Sequence, residues 1–188
     1  MRVIAGEFKG RRLKAMPGVN TRPTSDKIKE SIFQMIGPFF DGGSCLDLYA
    51  GSGSLGIEAV SRGMDTAVLV DKHPAAVKTI KENIELTKKP DQFEVMRKSA
   101  STALVALEQA NTQFDLVLLD PPYEKQNIKG DILLLEEKSL LNNGAFIVCE
   151  TGKFVDMDEQ IGHSTLWKKK AYGSTMIWIY KMGFGGEE

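Results

Sequence analysis

An α/β fold, built on a mostly parallel sheet and closed at one edge by an antiparallel hairpin, is what the sequence predicts. Three observations lead there. Short apolar runs alternate with helix-length segments over most of the 188 residues, and parallel strands need connections of that length. The first such run leads into a glycine-rich turn, Gly51-Ser52-Gly53-Ser54-Leu55-Gly56. The last two runs, Leu166 to Ala171 and Thr175 to Lys181, are joined only by Tyr172-Gly173-Ser174. That link is too short for a crossover, so those strands pair antiparallel.

Taken in order, Arg2 to Gly6 and Arg12 to Met16 flank Glu7-Phe8-Lys9-Gly10-Arg11 and suggest a small β-hairpin. Two strands alone are marginal, so the hairpin is expected to lean on the main body or on a polyanion. Arg22-Pro23-Thr24-Ser25-Asp26 forms a loop with a helix N-cap, and Ile28, Ile32, Phe33, Met35 and Ile36 follow as an apolar stripe. Pro38 and Gly42-Gly43 mark entry to the main domain, giving an extension over 1–40 and a catalytic domain over 41–183. A first strand around Leu46 precedes the glycine turn, and Leu55 to Arg62 reads as a helix stopped at Gly63. Thr66 to Val70 is the second strand, Pro74 to Leu86 a helix, Phe93 to Arg97 the third strand and Ala103 to Ala110 a helix. Phe114 to Leu119 is the fourth strand. A helix around Ile132 to Glu137 and a fifth strand, Gly144 to Glu150, come next, and residues 184–188 are expected to fray.

The chemistry sits at strand ends. A glycine turn after a first strand allows close backbone approach to a nucleotide-type ligand. Gly51-x-Gly53-x-x-Gly56 also fits the dinucleotide fingerprint, so the glycines alone leave NAD open. Asp47 tips the choice: an acid just ahead of the glycines repels a pyrophosphate and suits the cationic methionine end of S-adenosylmethionine. Asp71, closing the second strand, is placed to accept both hydroxyls of an adenosine ribose. The fourth strand ends in Asp120-Pro121-Pro122-Tyr123. There a carboxylate and the Pro121 carbonyl can accept from an exocyclic NH2, Pro122 fixes the turn, and Tyr123 offers a stacking face. In isolation a purely structural strand-to-loop turn would look the same.

Composition narrows the partners. Residues 1–40 hold eight basic against three acidic side chains, a net +5, and the remainder carries −6. A basic arm on an acidic body is the asymmetry of a catalytic domain with its own polyanion grip, although an ordinary solvated segment has the same composition. No stretch approaches the ~20 apolar residues of a membrane span, and no signal-peptide core opens the chain. Cys45 and Cys149 lie inside apolar strands without metal-like spacing and read as buried thiols in a reducing cytoplasm. His73 and His163 show no ligand spacing, so no metal is expected.

The runs RPTSDKIKESIFQMI, LDLYAGSGSLGIEAVSRG, VDKHPAAVKTIKENI, FDLVLLDPPY and YGST together resemble the RsmD family, covering nearly the whole chain. The family consists of Rossmann-like class I methyltransferases that act on the exocyclic N2 of a guanine in 16S ribosomal RNA. By position, the resemblance implies that Asp47, Gly51, Gly53 and Asp71 bind S-adenosyl-L-methionine, with Tyr49, Ser52, Gly56, Lys72 and Asp120 beside them. It implies that Asp120, Pro121, Pro122 and Tyr123 hold the base. Arg2, Lys9, Arg11, Arg12, Lys14, Arg22 and Thr24 would grip the RNA or the small ribosomal subunit, with a monomer expected. Ser99 stands where the family carries an acid for the adenine amine, leaving a hydroxyl or backbone group to serve.

Two patches stay open. Trp167-Lys168-Lys169-Lys170 with Tyr172 suits an RNA-contacting edge or equally an edge strand shielded by lysines. The loop Glu124 to Gly130 could close over substrate or be inert. Among other function classes, a DNA adenine-N6 methyltransferase shares the DPPY chemistry but would need a DNA-recognition domain. A non-catalytic RNA-binding assembly factor would have no use for the intact glycine loop and DPPY turn together.

Overall fold

The computed structural model describes residues 1–17, 25–122 and 126–183. Arg22, Thr24, Tyr123 and the segment 184–188 therefore lie outside the described residues. The chain divides into two compact units, one from Met1 to Ala100 and one from Ser101 onward. The described residues of the expected extension, 1–17 and 25–40, fall within the first unit.

In the first unit, helix α1 (Asp26–Ile36) starts at Ser25, whose hydroxyl accepts from the Ile28 amide at 3.2 Å. Strand β1 (Ser44–Asp47) runs into α2 (Ser54–Ser61), followed by β2 (Thr66–Val70), α3 (Pro74–Glu85) and β3 (Phe93–Met96). The three strands are parallel in the order β3-β2-β1. Cys45, Leu46, Val68, Leu69 and Val70 are buried between the helices, as both faces of a covered parallel sheet require.

The second unit begins with α4 (Ala100–Gln109, whose first residue closes the first unit), β4 (Phe114–Leu119), α5 (Ile128–Glu137) and β5 (Leu141–Gly152). It ends with β6 (Gln160–Ile161), β7 (Ser164–Tyr172) and β8 (Thr175–Met182). Strands β4 and β5 are parallel; β8 pairs antiparallel with β5 and β7, and β6 with β7. The predicted terminal hairpin is present, and both cysteines are free and buried. Among the described residues, no helix is long and apolar enough to cross a membrane.

Several elements depart from expectation. The two-residue β6 has too little apolar pattern to be legible. Helix α5 begins at Ile128, so residues 128–130 of the expected loop are its first turn. A glycine there reads as a breaker, yet Asn127 caps the turn by accepting from the Gly130 amide at 3.3 Å. The N-terminal hairpin is reduced to one bridge, Arg2 to Arg12, with the Val3 amide bonded to the Arg11 carbonyl at 2.9 Å.

The Gly10 and Leu13 amides also bond across the hairpin, to the Val3 and Met1 carbonyls at 2.9 and 3.0 Å, while other amides of the arm turn to α2. The Glu58 carboxylate, fully buried, accepts from the amides of Ile4 (3.0 and 3.1 Å) and Ala5 (3.3 Å). Ser61 bonds the Phe8 amide through its hydroxyl (2.9 Å) and the Glu7 amide through its carbonyl (2.8 Å). Gly6 lies so close that a Cβ there would stand 1.8 Å from the Ser61 carbonyl oxygen. Val3, Phe8 and Leu13 are buried. Two cations face the same carboxylate: Arg62 donates to Glu58 at 3.1 Å and to Glu30 at 2.9 Å, and the Lys29 ammonium is 3.9 Å away. Lys29 also donates to the Arg2 carbonyl (2.6 Å) and the Ser54 hydroxyl (3.0 Å). Burial pulls the Lys29 ammonium below its usual range, and Glu58 opposes that pull. Removing one partner of such a buried cluster costs about 3–5 kcal/mol, because the remaining charges lose compensation. Glu58→Ala should lose that much in urea denaturation, far more than the exposed Glu82→Ala.

Candidate active site

A cofactor-type cluster lies in the first unit, at the carboxyl ends of β1, β2 and β3. Gly53 caps α2 in the left-handed region, at φ 83°, a conformation that costs a side-chain-bearing residue about 1–2 kcal/mol. Gly51, at φ 58°, also bends the turn, and Gly56 lets α2 settle directly over β1 and β2.

Asp71 holds two turns at once. Its Oδ2 accepts from the Gly51 amide at 3.0 Å and its Oδ1 from the His73 amide at 2.9 Å, the latter starting α3. Both oxygens keep lone pairs for further donors. His73 is therefore a backbone donor at a helix start. Lys72 and Ser99 are exposed, and Tyr49 and Ser52 are half-buried.

Asp47 is 2% exposed and accepts from the Gly56 amide at 3.1 Å. Burial pushes its carboxyl up to about 7, aided by the nearby negative charge of Asp71 and opposed by the Gly56 amide. A desolvated acid beside a second acid, at the mouth of a glycine turn, has the chemistry to receive a cation. The residues present thus fit the methionine end and ribose of S-adenosylmethionine.

One residue here escaped sequence reasoning. Asn83, fully buried on α3, accepts from the Lys14 amide at 2.8 Å and donates to the Lys14 carbonyl (3.0 Å) and the Ser52 carbonyl (2.9 Å). Its signal was a polar residue on the apolar stripe of Val77, Ile80 and Ile84.

The basic arm is more structural than its composition implies. Arg11 donates to the Thr87 carbonyl at 2.5 Å and lies over the Phe8 ring. Arg2 pairs with Asp26 at 3.3 Å and Lys14 with Glu82 at 3.2 Å. Lys9 and Arg12 are exposed. The Arg11 guanidinium thus fastens the arm to the end of α3.

The acid-proline-proline turn belongs to the second unit. Asp120 follows the last residue of β4 and is half-buried, Pro121 is buried and Pro122 exposed. Among the described residues no cluster of three or more His, Cys, Asp or Glu could hold a metal ion.

A family model described as Conserved hypothetical protein 95 matches residues 1–181. The chain belongs to this family, the RsmD family. YlbH of Bacillus subtilis is 46% identical over 181 residues, covering 96% of this chain and 98% of that protein. The Haemophilus influenzae protein named ribosomal RNA small subunit methyltransferase D is 36% identical, covering 96% and 93%. The solved structure of Escherichia coli yhhF superposes with a TM-score of 0.82 at 30% identity, covering 97% of this chain and 98% of that one. The fold of this RsmD-family chain is therefore the class I methyltransferase fold.

The Asp47 carboxyl gives a pH signature. Its ordinary value is 3.8 and its folded value about 7, so between those limits the folded protein holds a proton that the unfolded chain has released. Its contribution to stability is full below about pH 4 and falls as pH rises through 7. Urea denaturation from pH 4 to 8 should show a loss for the wild type that Asp47→Asn lacks. A matching slope in the variant would assign the effect elsewhere.

Proposed function

We propose that this chain transfers a methyl group from S-adenosylmethionine to the exocyclic N2 of a guanine in small-subunit ribosomal RNA. The observation that carries the reading is the acid-proline-proline turn closing β4, in a chain matched over 96% of its length by a ribosomal RNA small subunit methyltransferase D. The same match supports RNA as the substrate class and a ribosomal partner, in a cytoplasmic setting.

Bound S-adenosylmethionine supplies an electrophilic methyl on a cationic sulfonium. The residues of the chain supply position. Asp71 accepts the ribose hydroxyls while its bonds to Gly51 and His73 hold the turns in place. Asp47, with Asp71 near it, would hold the cationic ammonium, whose charge favours the ionised carboxylate. Guanine N2 is a weak nucleophile because its lone pair is delocalised into the ring. Hydrogen bonds from N2–H to the Asp120 carboxylate and the Pro121 carbonyl favour a pyramidal nitrogen and aim its lone pair at the methyl. Alignment of two bound reactants is worth about 7–11 kcal/mol of the barrier. The target base must leave its stack, which costs a few kcal/mol unless it already lies in a loop.

The direct test is transfer of tritium from labelled cofactor into ribosomal RNA from a strain lacking the gene, followed by nucleoside analysis. N2-methylguanosine is the expected product, and label in adenine would replace this reading with another amino-methyltransferase. Asp71→Ala should weaken binding of S-adenosylhomocysteine by about 1.5–3 kcal/mol in calorimetry, the scale of hydrogen bonds to a charged group. Asp120→Ala should leave that affinity nearly unchanged and slow single-turnover methyl transfer by about 10²–10³. Equal losses in both measurements would remove Asp120 from the chemistry.

A further inference from the structure

The second unit carries a surface that the proposed chemistry does not use, at the same end as the catalytic turn. Strands β4 and β5 are parallel, with Leu119 opposite Cys149, so the chain leaving β5 emerges beside the chain leaving β4. Strand β8 pairs antiparallel with β5, Gly152 opposite Thr175, and this brings the β7–β8 turn to that end as well. The Lys153 amide donates to the Ser174 carbonyl at 2.9 Å, pinning the two turns together. Phe154 follows and is 97% exposed, whereas the other exposed large apolar side chains lie between 40% and 61%. A ring in that position covers no core and gains nothing from folding.

Lysines surround it. Lys168 and Lys170 alternate along one face of β7, the Lys170 ammonium lying 5.3 Å from the centroid of the Tyr172 ring. Among the described residues, Lys153, Lys168, Lys169 and Lys170 appear in no ion pair. Of the acids in the adjacent loop, Asp158 pairs with Lys129 at 2.6 Å and Asp156 accepts from the Met157 amide at 3.1 Å. Lys168 lies 4.0 Å over the Trp167 ring and Lys169 5.3 Å over Trp178, so among the described residues these cations meet aromatic faces and no carboxylate. A bare aromatic ring beside cations without acidic partners is the composition of a single-stranded nucleic-acid platform, on which bases stack and phosphates are neutralised.

We infer that the rim formed by Lys153, Phe154, Lys170 and Tyr172, with Lys168 behind it, binds the single-stranded RNA flanking the target guanine, Phe154 stacking on an unpaired base. The inference rests on the RNA-methyltransferase reading and adds a second binding surface to it. A shielded edge strand accounts for the lysines but not for Phe154.

The test uses the full chain, S-adenosylhomocysteine and protein-free small-subunit ribosomal RNA. Phe154→Ala should weaken RNA binding about 5- to 150-fold, the span of base–aromatic stacking, and Phe154→Trp should restore it. Lys168→Ala with Lys170→Ala should flatten the salt dependence of log Kd by about 1.4, since each lysine that neutralises one phosphate of a single strand adds about 0.7 to the slope. S-adenosylhomocysteine affinity and thermal midpoint should stay at wild-type values, since these side chains are exposed. Wild-type RNA affinity and salt slope in both variants would overturn the rim while leaving the enzymatic reading intact. Normal binding of free RNA with impaired methylation of assembled subunits would assign the rim to a ribosomal protein, and also overturn it. A wild-type protein that binds S-adenosylhomocysteine but neither binds nor methylates RNA would overturn the functional reading itself.

Discussion

One buried carboxylate organises the first half of the chain. Glu58 sits on α2 directly after the glycine turn and answers to Arg62, Lys29 and two backbone amides of the N-terminal arm. Charges taken out of water are tolerated only when each is compensated, so this cluster fixes where α1, α2 and the arm must meet. Lys29 extends it to Ser54, the first residue of α2. The helix that presents the glycine turn is thus held from behind by electrostatics and from below by the apolar packing of Ile57, Ala59 and Val60.

The glycine turn itself is held from three further directions. Asp71 grips the Gly51 amide, Asn83 grips the Ser52 carbonyl, and Asp47 grips the Gly56 amide. Each of these side chains comes from a different element, so the turn is shaped before any ligand arrives. Such preorganisation spares a ligand part of the ordering cost of binding. It also explains how a loop of small residues, with little packing of its own, can hold a defined conformation.

Much of this was legible in the sequence, for identifiable reasons. The order of strands and helices follows from alternation of apolar runs and turn residues, and the terminal hairpin follows from the three-residue Tyr172-Gly173-Ser174 link. Asp47 and Asp71 could be picked out because they close apolar strands. What could not be read depends on tertiary partners. An arm of arginines and lysines looks the same whether Arg11 faces solvent or reaches the Thr87 carbonyl. The start of α5 hid behind Gly130, because a glycine signals a loop unless the capping Asn127 is weighed with it. Glu58 and Asn83 carried the subtlest signal, a polar residue inside an apolar stripe, which sequence alone cannot distinguish from an ordinary exposed position at a helix boundary.

The seating of the arm on α2 bears on how this protein can be cut and recombined. Met1 to Met16 does not form a detachable cassette, because its amides are the partners that Glu58 and Ser61 require, and Val3, Phe8 and Leu13 lie in the core. Deleting it would bare apolar surface and strand a buried acid between two bases. Grafting it onto another domain would carry across the lysines and arginines but none of the packing that shapes it. An exchange between relatives would have to move residues 1–17 together with α1 and α2, since the charges that join them are shared among all three.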